Sequence, residues 1–212
     1  MKSNRFYLAC LRDTVGTNVT FHCTNGMGYH TDIAKAHQYT LEEAQHEWET
    51  GRDFDLPLCA DKIDALSKYH VDSQLLPVET TIIDGCAAYV AFQAKRWDGN
   101  DVYWLQDNGL PTTDFSKAKV HSLIGDQQGL VWLPFSDADK VKRKVFCVND
   151  IDRRRMITVA GLITPDHVKR AKRRKSTGKV RWNCPECGKL NWQLNPYDFE
   201  GCSDVCCSEH RA

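Results

Sequence analysis

The chain has 212 residues, 42% hydrophobic and 26% charged, with 28 basic and 28 acidic side chains that leave a formal net charge of zero. These proportions fit an ordinary soluble globular protein with ample material for a core, arranged as one large domain or two or three small ones. No apolar run approaches a membrane span, and Arg12 and Asp13 interrupt Phe6 to Leu11 too soon for the core of a signal peptide, so the sequence points to a reducing cytosol.

The zero total conceals a segregation of sign. Residues 1–139 carry 11 basic and 20 acidic side chains, residues 140–181 carry 15 and 3, and residues 182–212 carry 2 and 5. An acidic body followed by a strongly cationic stretch suggests a polyanion-binding segment beside a differently purposed scaffold.

The acidic body reads as two copies of one unit, over 1–76 and 77–152. Phe6-Tyr7-Leu8-Ala9 returns as Ala88-Tyr89-Val90-Ala91, Asn18-Val19-Thr20-Phe21 as Asp101-Val102-Tyr103-Trp104, and Asn25-Gly26 as Asn108-Gly109. Thr31-Asp32-Ile33-Ala34-Lys35-Ala36 matches Thr113-Asp114-Phe115-Ser116-Lys117-Ala118, and Leu56-Pro57-Leu58 answers Leu133-Pro134-Phe135. Asp61-Lys62-Ile63 answers Asp139-Lys140-Val141, and Tyr69 to Asp72 answers Phe146 to Asn149, so the offset falls from 82 or 83 residues early in the unit to 77 or 78 late in it. Each copy opens with a β-rich run, turns at Gly or Asn, continues in a second aromatic strand and reaches Asn-Gly, a strong turn signal. In the first copy Thr40-Leu41-Glu42-Glu43 fits the capping box of a helix that runs to about Trp48, whereas Ser122-Leu123-Ile124-Gly125 predicts a weak or lost helix in the second. A short helix near Asp61 and near Asp137, and closing strands at Tyr69 to Val71 and Val145 to Val148, complete the pattern. The fold class is α+β: two tandem copies of a small antiparallel module of about 70 residues, sharing a core because each is near the limit of independent stability.

The repeated Thr-Asp-x-x-Lys-Ala pairs an acid and a base at fixed separation, which is also how a turn or helix start caps itself and forms a local ion pair. Its presence in both copies favours that structural role. His22 and His30 have no counterparts in the other copy, and no nucleophile–base constellation appears. No catalytic residue is named, no small-molecule substrate is implied, and the expectation is a non-enzyme. Cys10, Cys23, Cys59, Cys86 and Cys147 are dispersed singly, as buried small hydrophobes are.

Residues 153–181 form a basic bridge. Thr164, Pro165 and Asp166 suit the start of a helix that Gly178 ends, with Val168 and Ala171 as its apolar contacts. Lys169, Arg170, Lys172, Arg173, Arg174, Lys175, Lys179 and Arg181 are the candidate nucleic-acid contacts, DNA or RNA, and Arg153-Arg154-Arg155 extends the patch. A solvated linker, or a strip docked on the acidic body, is the plain alternative.

The tail, 182–212, holds half of the ten cysteines. Cys184-Pro185-Glu186-Cys187-Gly188 can grip one face of a tetrahedral ion, and a second thiolate pair after a short excursion can close the other. Cys202 and Cys207 are favoured for that pair, with Cys206 a close rival and His210 a further one. Zn²⁺ is the favoured metal because it accepts four N/S ligands without redox chemistry. A redox CxxC would need a strand-to-helix setting, and disulfides would need an oxidising compartment. A four-thiolate site leaves no open position for water, so it staples a zinc ribbon rather than catalysing. Trp182, Trp192, Tyr197 and Phe199 lie beside it, available to stack exposed bases or to build the ribbon's small core, the latter expected of at least two of the four.

The stretch from Asn25 to Ala44, its second copy, Cys184-Pro185-Glu186-Cys187-Gly188 and Asn195-Pro196-Tyr197-Asp198-Phe199-Glu200-Gly201-Cys202 resemble uncharacterised zinc-ribbon proteins of bacteriophages and prophages. The resemblance would cover nearly the whole chain. It implies a setting, the host cytoplasm and a mobile genetic element, and carries no activity. The expectation is a zinc-binding accessory protein that contacts nucleic acid through bridge and ribbon and a host protein through the acidic repeats. The alternative is an inhibitor of a host defence enzyme or nuclease acting through the acidic body.

Overall fold

Phe6 to Cys10, buried at every position, form the first half of strand β1 (Phe6–Val15). A continuous buried run of this kind marks a strand covered on both faces, unlike the alternating pattern of a half-exposed one. The computed structural model describes residues 3–125, 128–172 and 178–211. In chain order β1 is followed by β2 (Asn18–His22), β3 (Tyr29–His30), helix α1 (Leu41–Thr50), β4 (Asp55–Cys59), α2 (Ala60–Leu66) and β5 (Lys68–His70). Then come β6 (Tyr89–Asp98), β7 (Asp101–Leu105), β8 (Pro111–Thr112), β9 (Leu130–Pro134), α3 (Phe135–Val141) and β10 (Arg143–Val145). A π-helical turn at Arg154–Thr158, α4 (Asp166–Lys172), β11 (Val180–Asn183) and β12 (Leu190–Gln193) complete the list.

The result is a mixed structure of small antiparallel sheets with few helices. One sheet has the order β3-β2-β1-β4 and another the order β8-β7-β6-β9. Their hairpins close at Val15↔Asn18 and Asp98↔Asp101, and both carry a register shift in the long first strand. Phe6 pairs with Cys59 in the first sheet, and Tyr89 pairs with Pro134 in the second. Asp32 and Asp114 each accept a backbone N–H two residues on, at 3.1 Å, and cap 3-10 turns at Ile33–Lys35 and Phe115–Lys117. Helix α1 begins at the reciprocal box read from the sequence: the Glu43 carboxylate accepts the Thr40 N–H at 2.8 Å, and the Thr40 hydroxyl accepts the Glu43 N–H. Its buried face is Ala44 and Trp48. Ser122 to Gly125 form no helix.

The segments that follow α2 and α3 cross over. Strand β5 pairs with β10, His70 opposite Arg143 and Lys68 opposite Val145. Beyond them the Phe146 carbonyl accepts the Val19 N–H of the first sheet, and the Val71 carbonyl accepts the Val102 N–H of the second. Val71 and Leu76 thereby join the core of Val90, Phe92, Val102, Trp104, Phe115, Val131 and Leu133. Gly16 and Gly99, both with positive φ, meet where the two hairpins touch; a Cβ on either would stand 2.5 Å from the other's backbone nitrogen. At the same junction the buried Asp101 carboxylate accepts from Asn18 Nδ2 and from Arg143, and lies 2.7 Å from His70 Nδ1. Removing water from one carboxylate is tolerable here because three polar groups replace it.

By compactness the chain divides once, into 1–165 and 166–212. The boundaries read at 76/77 and 152/153 do not coincide with that division, because the closing segments are exchanged and because Met156, Ile157, Ala160 and Leu162 are buried in the first unit. No helix among the described residues is long and apolar enough to cross a membrane.

Candidate metal centre

In the second unit β11 and β12 form a hairpin with Val180 opposite Gln193, Arg181 opposite Trp192 and Trp182 opposite Asn191. Two tight turns bring the sulfurs together beyond it. In the first, Cys184 to Gly188, the Gly188 N–H returns to the Cys184 carbonyl at 2.9 Å and Gly188 takes φ of 70°, a left-handed conformation that glycine enters without strain. In the second, Cys202 to Cys207, the Cys207 N–H bonds to the Asp204 carbonyl at 3.0 Å.

Cys184, Cys187, Cys202 and Cys207 have all four Sγ atoms within 4.8 Å of one another. The Cys184–Cys207 and Cys187–Cys202 pairs are 3.6 Å apart, too long for disulfides and close to the ~3.8 Å edge of a tetrahedron with metal–sulfur bonds of about 2.3 Å. All ten cysteines are free thiols. The four could therefore hold one metal ion. Cys206 and His210 are exposed and lie outside the group.

The surroundings divide the four thiols. The Cys187 N–H pulls the Cys184 thiol down to about 7, against the upward push of burial and with help from the Glu186 N–H. Cys207 is pushed up to about 12: the Glu209 N–H lowers it, but burial and three neighbouring sulfurs outweigh that donor. Crowded sulfurs that raise one another's proton affinity are relieved when one cation serves them all. The Asp204 N–H and Asn191 Nδ2 donate to Cys202 Sγ at 3.4 and 3.8 Å, and Lys189 pairs with Asp204 across the two turns. Such outer contacts orient the ligands.

The four aromatics divide. Trp182 packs on Phe199, ring centroids 6.3 Å apart, both half-buried. Trp192 and Tyr197 are 52% and 85% exposed. Of the basic residues singled out, Arg181 is exposed opposite Trp192, Lys179 is exposed just before the hairpin, and Lys169 and Arg170 are exposed on α4. Lys169 is paired to Asp166 at 3.1 Å. Lys172 ends α4, while Arg173, Arg174 and Lys175 lie outside the described residues.

The Asp101 cluster was not read from the sequence as a site, although the match of Asn18 with Asp101 carried the signal: a buried polar residue opens both strands. It ties the two sheets together. No protein-family model, no curated protein and no solved structure matches the chain.

Proposed function

We propose that the chain is a non-enzymatic, zinc-stapled binding protein whose C-terminal segment contacts nucleic acid and whose acidic body, two copies of one α+β module, engages a protein partner. The observation that carries the nucleic-acid reading is the solvent face of the β11–β12 hairpin. Arg181 and Trp192 are cross-strand partners there, both exposed, and Leu190 and Leu194 are exposed at alternate positions along the same strand. A π surface beside a guanidinium stacks bases and neutralises phosphates. Zinc is supported by four free thiols at tetrahedral spacing and by the absence of oxygen donors among them.

The duplication is supported by the shared strand order and by the recurrence of each pairing from one sheet to the other. Those registers set Phe6 against Tyr89, one residue later than the sequence alignment placed it, and Leu58 against Leu133, two residues earlier than Leu56-Pro57-Leu58 implied. A phage or prophage accessory role in the host cytoplasm remains the setting that fits the resemblance.

The reading is tested by fluorescence anisotropy with labelled single-stranded and duplex oligonucleotides. Trp192→Ala is expected to weaken binding about tenfold, within the ~1–3 kcal/mol of a base–aromatic stack. Affinity should also fall steeply between low and moderate salt. Equal affinity for wild type and a Trp192→Ala, Arg181→Ala double variant would overturn it.

A further inference from the structure

A second cationic site lies on the other unit, at the π-helical turn. Two five-residue rings shape this turn: the Val159 N–H bonds to the Arg154 carbonyl at 2.9 Å, and the Leu162 N–H bonds to the Ile157 carbonyl at 3.1 Å. The wider winding keeps Met156, Ile157, Ala160 and Leu162 all buried, each 3% exposed or less. Arg153, Arg154 and Arg155 are left on the outside of an anchored backbone. π-turns interrupt regular winding at a cost in hydrogen-bond geometry and occur often at functional sites.

Lys62 of α2, Asp152, Arg154, Arg155 and Val159 line an open cavity of about 570 Å³. The site holds one carboxylate, and Asp152 already accepts the Arg155 N–H at 3.0 Å and pairs with its guanidinium at 3.4 Å. The neighbouring acids of α2 are also engaged, Asp61 and Asp64 both by Arg5 at 2.8 and 3.1 Å. The side chains of Lys62 and Arg154 make no ion pair or hydrogen bond among the described residues, and Arg153 is exposed next to them in the chain. Lys62, Arg154 and Arg155 set three cations against one carboxylate around the concavity, and an anion that bridges them relieves their repulsion. The cavity is ligand-sized, larger than a single oxyanion needs. Guanidinium forks match phosphoryl oxygens in pairs.

We propose that this cleft binds a chain of phosphate groups, as carried by a nucleotide or by a polynucleotide backbone. The acidic balance of residues 1–139 repels such a ligand from much of the body and favours its approach to this basic concavity. The site is independent of the cysteine segment and of the nucleic-acid reading given to it.

The test uses full-length protein carrying Trp192→Ala and Arg181→Ala, so that the stacking pair of the hairpin does not contribute. Thermal unfolding is followed with inorganic tripolyphosphate, with a short oligothymidylate, and with sodium chloride at matched ionic strength. The expected result is a rise in the body's Tm of at least about 3 °C over the salt control, abolished by Arg154→Glu and by Lys62→Glu, both changes of exposed side chains. A rise with tripolyphosphate assigns the cleft to a nucleotide's phosphate chain; a rise with oligothymidylate alone assigns it to a polynucleotide backbone. No rise above the salt control in either arm, or a rise that both variants retain, overturns the proposal.

Discussion

Cys206 and Cys207 are adjacent in the chain, yet one sulfur joins the cluster and the other faces solvent. The difference is made by the backbone turn that returns the Cys207 N–H to Asp204, which aims the second side chain inward. Cys207→Ser is therefore expected to abolish metal retention and unfold the hairpin segment, because a structural thiolate site supplies about 10–16 kcal/mol of apparent binding energy to folding. Cys206→Ser should leave metal content unchanged and remove the fastest-reacting thiol of the segment, as read by metal analysis and thiol titration. The first CxxC was legible because its geometry is local to four residues. The choice between Cys206 and Cys207 was not, because either spacing closes a tetrahedron on paper. Asp101 makes the same point for the body. Its partners Asn18, His70 and Arg143 come from three separate segments. Asp101→Ala should destabilise the body by about 3–5 kcal/mol, since it strands a buried guanidinium; denaturant unfolding measures it.

The elements written most clearly in the sequence are those whose signal is short-range. Helix α1 starts at its capping box, and Thr40→Ala should cost about 1 kcal/mol in denaturant unfolding. Its acid dependence has a definite sign. The Thr40 N–H and hydroxyl hold the Glu43 carboxyl below the usual carboxylate range. Capping by Glu43 is thus fully present above the unfolded-state pKa and is lost as pH falls through the lower folded value. Strand pairing was less legible. Matching short motifs does not fix register, which the ladders set at Phe6↔Cys59 in one sheet and Tyr89↔Pro134 in the other. A slip of one residue exchanges the faces of a strand. Nothing local announced that β5 and β10 would pair with each other, since either could have closed its own sheet. The glycine contact at the hairpin junction follows from that exchange. Gly99→Ala should cost about 1–3 kcal/mol, through its positive φ and the approach of Val15 and Gly16.

At the scale of the whole molecule, charge and chemistry are segregated in sequence and in structure. The 1–165 unit carries the acidic sheets and a basic cleft, and the 166–212 unit carries the clustered thiols, the exposed Trp192 and basic residues near it in the chain. Composition made this legible, because counting charges by segment needs no fold. It could not say which aromatics would be spent on a core, a matter settled by the alternation of β11 and β12. The account rests on an ion organising the second unit. The most direct measurement is X-ray absorption at the zinc edge on purified full-length protein, with metal quantified per chain. One zinc per chain, bound by four sulfurs at about 2.3 Å, is the expected result. A metal-free chain whose five C-terminal thiols all titrate freely while the hairpin stays folded would contradict it.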